Sequence, residues 1–349
     1  PQQSLALLDM LRLPDLFSAT QAQWKTALAY FTTGADPVLQ RETTWHTYNL
    51  MSSVVYLDFF KAHIIPQGSA YLYLHGADGA PRDQALFAVP ATYLDPALAR
   101  DMLRLIMQVT DAHTGQISYA FAGHGLLSDG MNIHTKPSDL DLFFLLALCE
   151  YLAATGDYTF LSVPVPFYPP AESPPDTTVL AHVRVALRHL LEENGPGEHG
   201  LIKIGSGDWS DSVVLETALR DGPGPFGVTY ANSKAHGESV YNTQMALYVL
   251  PLLAALLRDH APDLVEYIHK GDRLQHLREA LARQWNPQGW YNRAILRDVF
   301  NRPVVLDYLN LEGQVWALVS GAAQADGKAD TLIEQIDTHL DRPSPIGAA

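Results

Sequence analysis

Between Gly205 and Ser239 the chain reads GSGDWSDSVVLETALRDGPGPFGVTYANSKAHGES, a segment with five carboxylates and one tryptophan that is too irregular to be core. Its opening places Asp208, Trp209 and Asp211 just after the mostly apolar run Leu201 to Ile204, so the acids stand where a buried element reaches a loop. An indole beside a carboxylic acid suits sugar chemistry. Pyranose C–H faces stack on indole, and an acid in a partly apolar pocket keeps its proton near neutral pH and can protonate a glycosidic oxygen. The same residues also have a plainer reading, with Asp208 and Asp211 as turn and N-cap residues and Trp209 as packing.

The elements that must position these groups are helices. Apolar residues recur at helical spacing over Ala19 to Thr32, Glu42 to His63 (ended before Pro66), Gln84 to Tyr93 and Pro96 to Ala112. Leu140 to Thr155 is apolar almost all round and therefore central, with Ser138 as its expected cap and Gly156 as its stop. Further helices are expected over Thr178 to Glu193, Ser239 to Asp259, Leu264 to Trp285, Leu311 to Ala323 and Lys328 to Leu340. Strand signals are confined to Leu201 to Ile204 and Gly289 to Arg297, the latter as a hairpin arm. The proline-rich stretch Pro164 to Pro175 reads as an extended crossing within one domain.

Polar and aromatic residues gather in the long loops, Gln67 to Asp83 and His113 to Pro137 among them. Helical hairpins in a ring or bundle fit this pattern, and a helical solenoid is the alternative. At helix starts, Arg82 with Asp83 reads as a cap with an ion pair, and Asp139 with Asp141 reads as complementing the helix dipole.

Composition narrows the partners. With 349 residues, 47% of them hydrophobic, the chain can bury a sizeable core, and a formal net charge of −15 with no basic cluster argues against nucleic acid. The single cysteine, Cys149, lies in an apolar run and excludes an intrachain disulfide framework, so a buried thiol and a reducing, cytoplasmic setting are expected. The longest apolar runs, Leu142 to Cys149 and Met245 to Leu257, fall short of about 18 residues, so no membrane span is expected. The first residues lack the basic start of a signal peptide. Fourteen histidines include His124, His134 and His236 in polar loops, but none form a helical H-x-x-x-H or HExxH pair, so no metal or other cofactor is expected.

Six ordered stretches resemble the catalytic domain of the cellobiose/chitobiose phosphorylase group, glycoside hydrolase family 94, over about residues 65 to 345. They are GADGAPRDQ from Gly76, SDLDLFFLLALCEYLAATGDY from Ser138, GDWSD from Gly207, GES from Gly237, GWYNRAILRD from Gly289 and LEGQVWALVSG from Leu311. The resemblance implies an all-α (α/α)6 barrel of helical hairpins over 39–349, incomplete at both ends and with short β-hairpins in its loops, preceded by a helical linker over 1–38. The apolar faces of Ala19 to Thr32 and Leu332 to Leu340 are then expected to be partly exposed.

Residue by residue, the resemblance makes Asp211 the general acid and Trp209 a wall of the sugar site. It assigns Arg82, Asp83 and Asp139 to the hydroxyls of the non-reducing-end sugar, with Asp208 as a turn or sugar-binding residue. These five groups, Arg82, Asp83, Asp139, Trp209 and Asp211, should then converge at one end of the barrel. Ser210 stands where the family has Asn, and Leu140 where it has a second acid. The implied activity is inverting cleavage of β-linked glucosides or oligosaccharides, with inorganic phosphate as co-substrate if the enzyme is a phosphorylase. Water is the nucleophile if it is a hydrolase, which needs a carboxylate base; Glu238 is the nominee. A non-catalytic sugar-binding relative and a helical interaction protein are the other readings. The expected partner is an oligosaccharide, with no nucleic acid or membrane, and homodimerisation is left open.

Overall fold

The computed structural model describes residues 9, 11, 15–30, 34, 36–67, 77–129, 134–215, 226–345 and 347–348. The chain divides into two compact units, Pro1–Tyr56 and Leu57–Ala349. In the first, helix α1 (Leu16–Ala27) precedes α2 (Pro37–Ser52), and Trp24 meets Tyr48 edge-on at 4.8 Å. Asp36 starts α2 by accepting from the backbone N–H groups of Val38 and Leu39, with Pro37 at a position that needs no donor. No residue of α1 is buried, in line with the expected exposure. The helix expected over Glu42 to His63 ends at Ser52; strands β1 (Val55–Leu57) and β2 (Ala62–Ile64) replace its second half, where the β-branched residues favour extended backbone.

The second unit is a helical barrel. Its inner members are α3 (Pro81–Leu94), α5 (Leu140–Thr155) and α8 (Val240–Leu257), with the amphipathic α4 (Pro96–Gln108) packed on α3. Helix α5 is buried on nearly every side, Cys149 included, and Gly156 ends it in the left-handed conformation (φ 66°) that glycine adopts without a Cβ penalty. Helix α8 is long and apolar enough to cross a membrane, yet 72% of it is buried inside the protein, as in the core helix of a globular fold.

Strands β3 (Ala120–Phe121) and β4 (Leu127–Ser128) pair antiparallel between α4 and α5. Helix α6 (Val179–Arg188) runs on into a wider π turn over His189–Asn194, and α7 (Phe226–His236) leads to strand β5 (Glu238–Ser239). The expected helix Leu264 to Trp285 is two helices, α9 (Pro262–His269) and α10 (Arg273–Ala282), because Gly271 (φ 62°) takes a left-handed turn between them. Strand β6 (Ala294–Arg297) pairs antiparallel with β5 and with β7 (Pro303–Leu306), so the expected hairpin arm is present. Leu201 to Ile204 forms isolated bridges in place of a strand. Helix α11 (Leu311–Val319) packs on α8, and α12 (Ala322–Ala325) and α13 (Ala329–Ile336) follow, with a π turn over Asp337–Asp341 after α13. In α13, Leu332 is buried while Ile333 is half exposed.

Candidate active site

Two backbone segments build the floor of the site. The chain before α5 and the chain after Ile204 run side by side: Ser206 N–H donates to the Lys136 carbonyl at 2.8 Å and Ser138 N–H to the Gly207 carbonyl at 3.1 Å. Gly205 permits this approach, since its φ is +60° and a Cβ there would stand 2.2 Å from the Lys136 carbonyl oxygen. Ser138, expected to cap α5, instead turns its hydroxyl to the Ile204 carbonyl (2.6 Å) and accepts from Asn242 Nδ2 of α8 (2.8 Å). The N-cap residue of α5 is Asp139, and its side chain makes no cap bond because Arg82 takes it.

Arg82, in the first turn of α3, is the hub. Its Nε and Nη2 donate to the two oxygens of Asp139 at 2.6 and 3.1 Å, its Nη1 to Asp211 Oδ1 at 3.1 Å, and its Nη2 also to the Asp208 carbonyl at 3.2 Å. The fork is planar and fixed, so it sets three chain segments at once. Burial opposes its charge, but Asp139 and Asp211 outweigh that and hold the guanidinium pKa well above its ordinary value. Burial pushes the Asp139 carboxyl up to about 6 against the pull of Arg82. Asp83, the next residue, accepts from Gln67 Nε2, and burial raises its pKa too.

Asp211 meets solvent, its side chain 26% exposed beside Trp209, which is 39% exposed. The Tyr119 hydroxyl donates to Asp211 Oδ2 at 3.1 Å, and His134 lies stacked on Tyr119 with its Nδ1 3.9 Å from Asp211 Oδ1. Arg82, Asp83, Asp139, Trp209 and Asp211 are thus gathered as expected, at the N-terminal ends of α3 and α5.

Three assignments change. Asp139 and Asp208 are sealed from solvent, so they position other groups and offer no oxygen to a sugar, while the turn role of Asp208 stands, its Oδ1 accepting from Ser210 N–H at 3.1 Å. Asp208 sits in the fork of Arg293 (2.7 and 2.5 Å), with the Ser239 hydroxyl at 2.5 Å; burial raises its pKa, but Arg293 prevails and holds the carboxyl below its ordinary value. Glu238 is the third. Neighbouring strand residues point to opposite faces, so Ser239 reaches Asp208 while Glu238 turns the other way. Its carboxylate is fully buried and takes the backbone N–H and Nδ1 of His199, the latter at 2.5 Å, and the N–H of Leu201. A base opposite Asp211 must face the substrate, and Glu238 does not.

Sequence reasoning missed Tyr119, Arg293 and Ser239 as members of the cluster and weighed His134 only as a metal ligand. Arg293 stands in the GWYNR stretch and Ser239 in GES, both noted as matching a family pattern without a role. Glu216 and Asp221, two of the five carboxylates of the Gly205 to Ser239 segment, lie outside the described residues, as does Gly76. Among the described residues no group of three or more His, Cys, Asp or Glu side chains is placed to hold a metal ion. A cavity of about 920 Å³, lined in part by His199, Ile295 and Val305, includes none of the acid cluster.

A helical barrel with an arginine-bridged carboxylate cluster and an exposed indole at one end defines the class, an (α/α)6-barrel carbohydrate-active protein. Two solved structures share the fold: a sugar epimerase from a ruminal bacterium (TM-score 0.59, 14% identity, covering 92% of this chain and 75% of that one) and the cellobiose 2-epimerase of Bacillus thermoamylovorans B4167 (TM-score 0.56, 10% identity, 89% and 73%). The chain belongs to the glycosyl hydrolase 94 superfamily, whose catalytic-domain profile matches residues 36–347. Curated relatives include the 3-O-beta-D-glucopyranosyl-beta-D-glucuronide phosphorylase of Paenibacillus borealis, 26% identical over 269 residues, and the solabiose phosphorylase of the same organism, 30% identical over 217. The matches take in 75% and 59% of this chain, and 31% and 24% of those relatives.

Proposed function

We propose that this chain forms the catalytic barrel of an inverting enzyme that cleaves β-linked glucosides or oligosaccharides by phosphorolysis, with Asp211 as general acid. The observation that carries the reading is the setting of Asp211, an accessible carboxyl between Arg82, Tyr119 and a half-exposed indole. Arg82 gives Nε and Nη2 to Asp139 and only Nη1 to Asp211, so Asp211 faces a guanidinium whose charge is already partly neutralised. In the reaction, Asp211 delivers its proton to the glycosidic oxygen as the anomeric C–O bond breaks. A phosphate oxygen attacks the anomeric carbon from the opposite face, giving an α-sugar 1-phosphate and the free alcohol. The carboxylate left on Asp211 is then stabilised by Arg82 Nη1 and the Tyr119 hydroxyl.

Phosphate as nucleophile is supported by the phosphorylase relatives and by the placement of the acids. Water needs a carboxylate base about 6.5–9.5 Å from the acid; among the described acids of the site Glu238 faces away, Asp139 and Asp208 are sealed, and the half-buried Asp83 is engaged by Gln67. The test is Asp211→Asn in the intact protein. Turnover of sugar leaving groups should fall by about 10²–10⁴-fold, with much smaller loss on a nitrophenyl glycoside that needs little proton assistance. Sugar 1-phosphate should form from the wild type only when phosphate is supplied. Equal losses on both substrates would show that another group is the acid, and free sugar released without phosphate would assign the nucleophile to water.

A further inference from the structure

Away from the acids, the chain concentrates positive charge at one place. It has seven lysines against a formal net charge of −15. Three of them, Lys136, Lys203 and Lys234, line a single cavity of about 260 Å³. They arrive from separate segments: the loop before α5, the stretch after α6, and the last turn of α7. All three are half-buried, and the charge they bring to one lining exceeds that of its described carboxylate.

Among the described lining residues the carboxylate is that of Glu193, and it is turned to Arg188, 3.4 Å away, while its backbone carbonyl accepts from Lys203 Nζ at 3.4 Å. Lys234 Nζ is held by the Thr135 hydroxyl. A second observation points to a ligand oxygen. Asn194 also lines the cavity, is 1% exposed, and its side-chain Nδ2 meets no acceptor among the described residues. A buried amide N–H left unpaired is costly, and an acceptor entering the cavity removes that cost.

We propose that this cavity binds a phosphoryl group, with Lys136, Lys203 and Lys234 neutralising its charge and Asn194 Nδ2 donating to one of its oxygens. A compact dianion satisfies three point-charge donors and one amide donor together, and the volume leaves room for a few atoms beyond the phosphorus and its oxygens. The site lies behind the acid cluster and is separate from it. Lys136 accepts from Ser206 N–H through its carbonyl and donates its own N–H to Ser206 Oγ at 3.0 Å, so the cavity backs onto the segment that carries Asp208 and Asp211. The phosphoryl group could belong to inorganic phosphate or to a hexose 1-phosphate.

The experiment is residue-resolved acylation of lysines, read by mass spectrometry on the intact protein with saturating inorganic phosphate, with glucose 1-phosphate, or with sodium chloride at matched ionic strength. Labelling of Lys136, Lys203 and Lys234 should slow several-fold while the exposed Lys270 is unchanged. Protection by inorganic phosphate alone identifies the free ion, and protection by both identifies the phosphoryl group. Protection by neither, or equal protection by sodium chloride, overturns the proposal. Lys203→Met should also weaken calorimetrically measured binding at this site at least about tenfold; unchanged protection of Lys136 and Lys234 in that variant at the same phosphate concentrations counts against it.

Discussion

Arg82→Met tests the hub of the site through stability, without needing a substrate. In the wild type both oxygens of Asp139 are taken by Arg82 and the carboxyl is sealed from solvent. Removing one partner of a buried ion pair leaves an uncompensated charge, which costs about 3–5 kcal/mol. At roughly 2.1 cal/mol/K of unfolding entropy per residue, the 349-residue chain unfolds with about 0.7 kcal/mol/K. The variant should therefore melt about 4–7 °C lower near pH 7.5. The cost should depend on pH. Asp139 already has its pKa raised to about 6 by burial, and losing Arg82 raises it further, so a proton takes the place of the guanidinium in acid. The gap to wild type should narrow at pH 5 and widen as pH rises. The assay is scanning calorimetry at both pH values, with Arg82→Met/Asp139→Leu as the second variant. That pair removes the stranded charge and should recover most of the loss. A single-variant cost under about 1 kcal/mol, or a double variant no more stable than the single, would refute the claim that Arg82 holds Asp139 in place.

Other outcomes follow from the same geometry. Glu238→Gln should lower the melting temperature, because it weakens the buried bonds to His199 and Leu201, while leaving the rate ratio between sugar and aryl leaving groups unchanged; a shift in that ratio on steady-state kinetics would return Glu238 to the reaction. In wild type, a folded-state pKa of about 6 for Asp139 against its ordinary 3.8 means that its contribution to stability declines as pH rises from about 4 to about 6, by roughly 3 kcal/mol at about 1.4 kcal/mol per unit. Asp139→Asn should lose less stability over that range, and parallel pH curves for the two proteins in chemical denaturation would contradict the shift. Gly205→Ala places a Cβ 2.2 Å from the Lys136 carbonyl in a left-handed conformation, and should reduce both melting temperature and turnover by displacing Asp208 and Asp211. Full activity with an unchanged melting temperature would show that the two segments are not tightly joined there.

Much of the fold was legible because helix signals are local. The apolar periodicity of α4, the all-round apolar character of α5 and the Gly156 stop each depend on residues a turn or two apart, and each was readable in the chain. The errors came where a nonlocal partner or a single backbone residue overrides the period. Gly271 breaks the long helix expected over 264–285, and extended chain replaces the second half of the helix expected from Glu42.

At the site, the sequence by itself determined which chemical groups were available: the GDWSD acids and indole, the Arg82–Asp83 pair at a helix start, and Asp139 ahead of an apolar helix. Only the tertiary structure decided which acid meets solvent. Arg82 lies 57 positions from Asp139 and 129 from Asp211 in the chain, and the sealing of Asp208 depends on Arg293, 85 positions away. Nor does the chain reveal that Glu238 and Ser239 form a two-residue strand, in which alternation sends one side chain to the acid cluster and the other away from it. Local spacing fixes which face of an element a residue occupies; burial and charge pairing are properties of what the fold brings against that face.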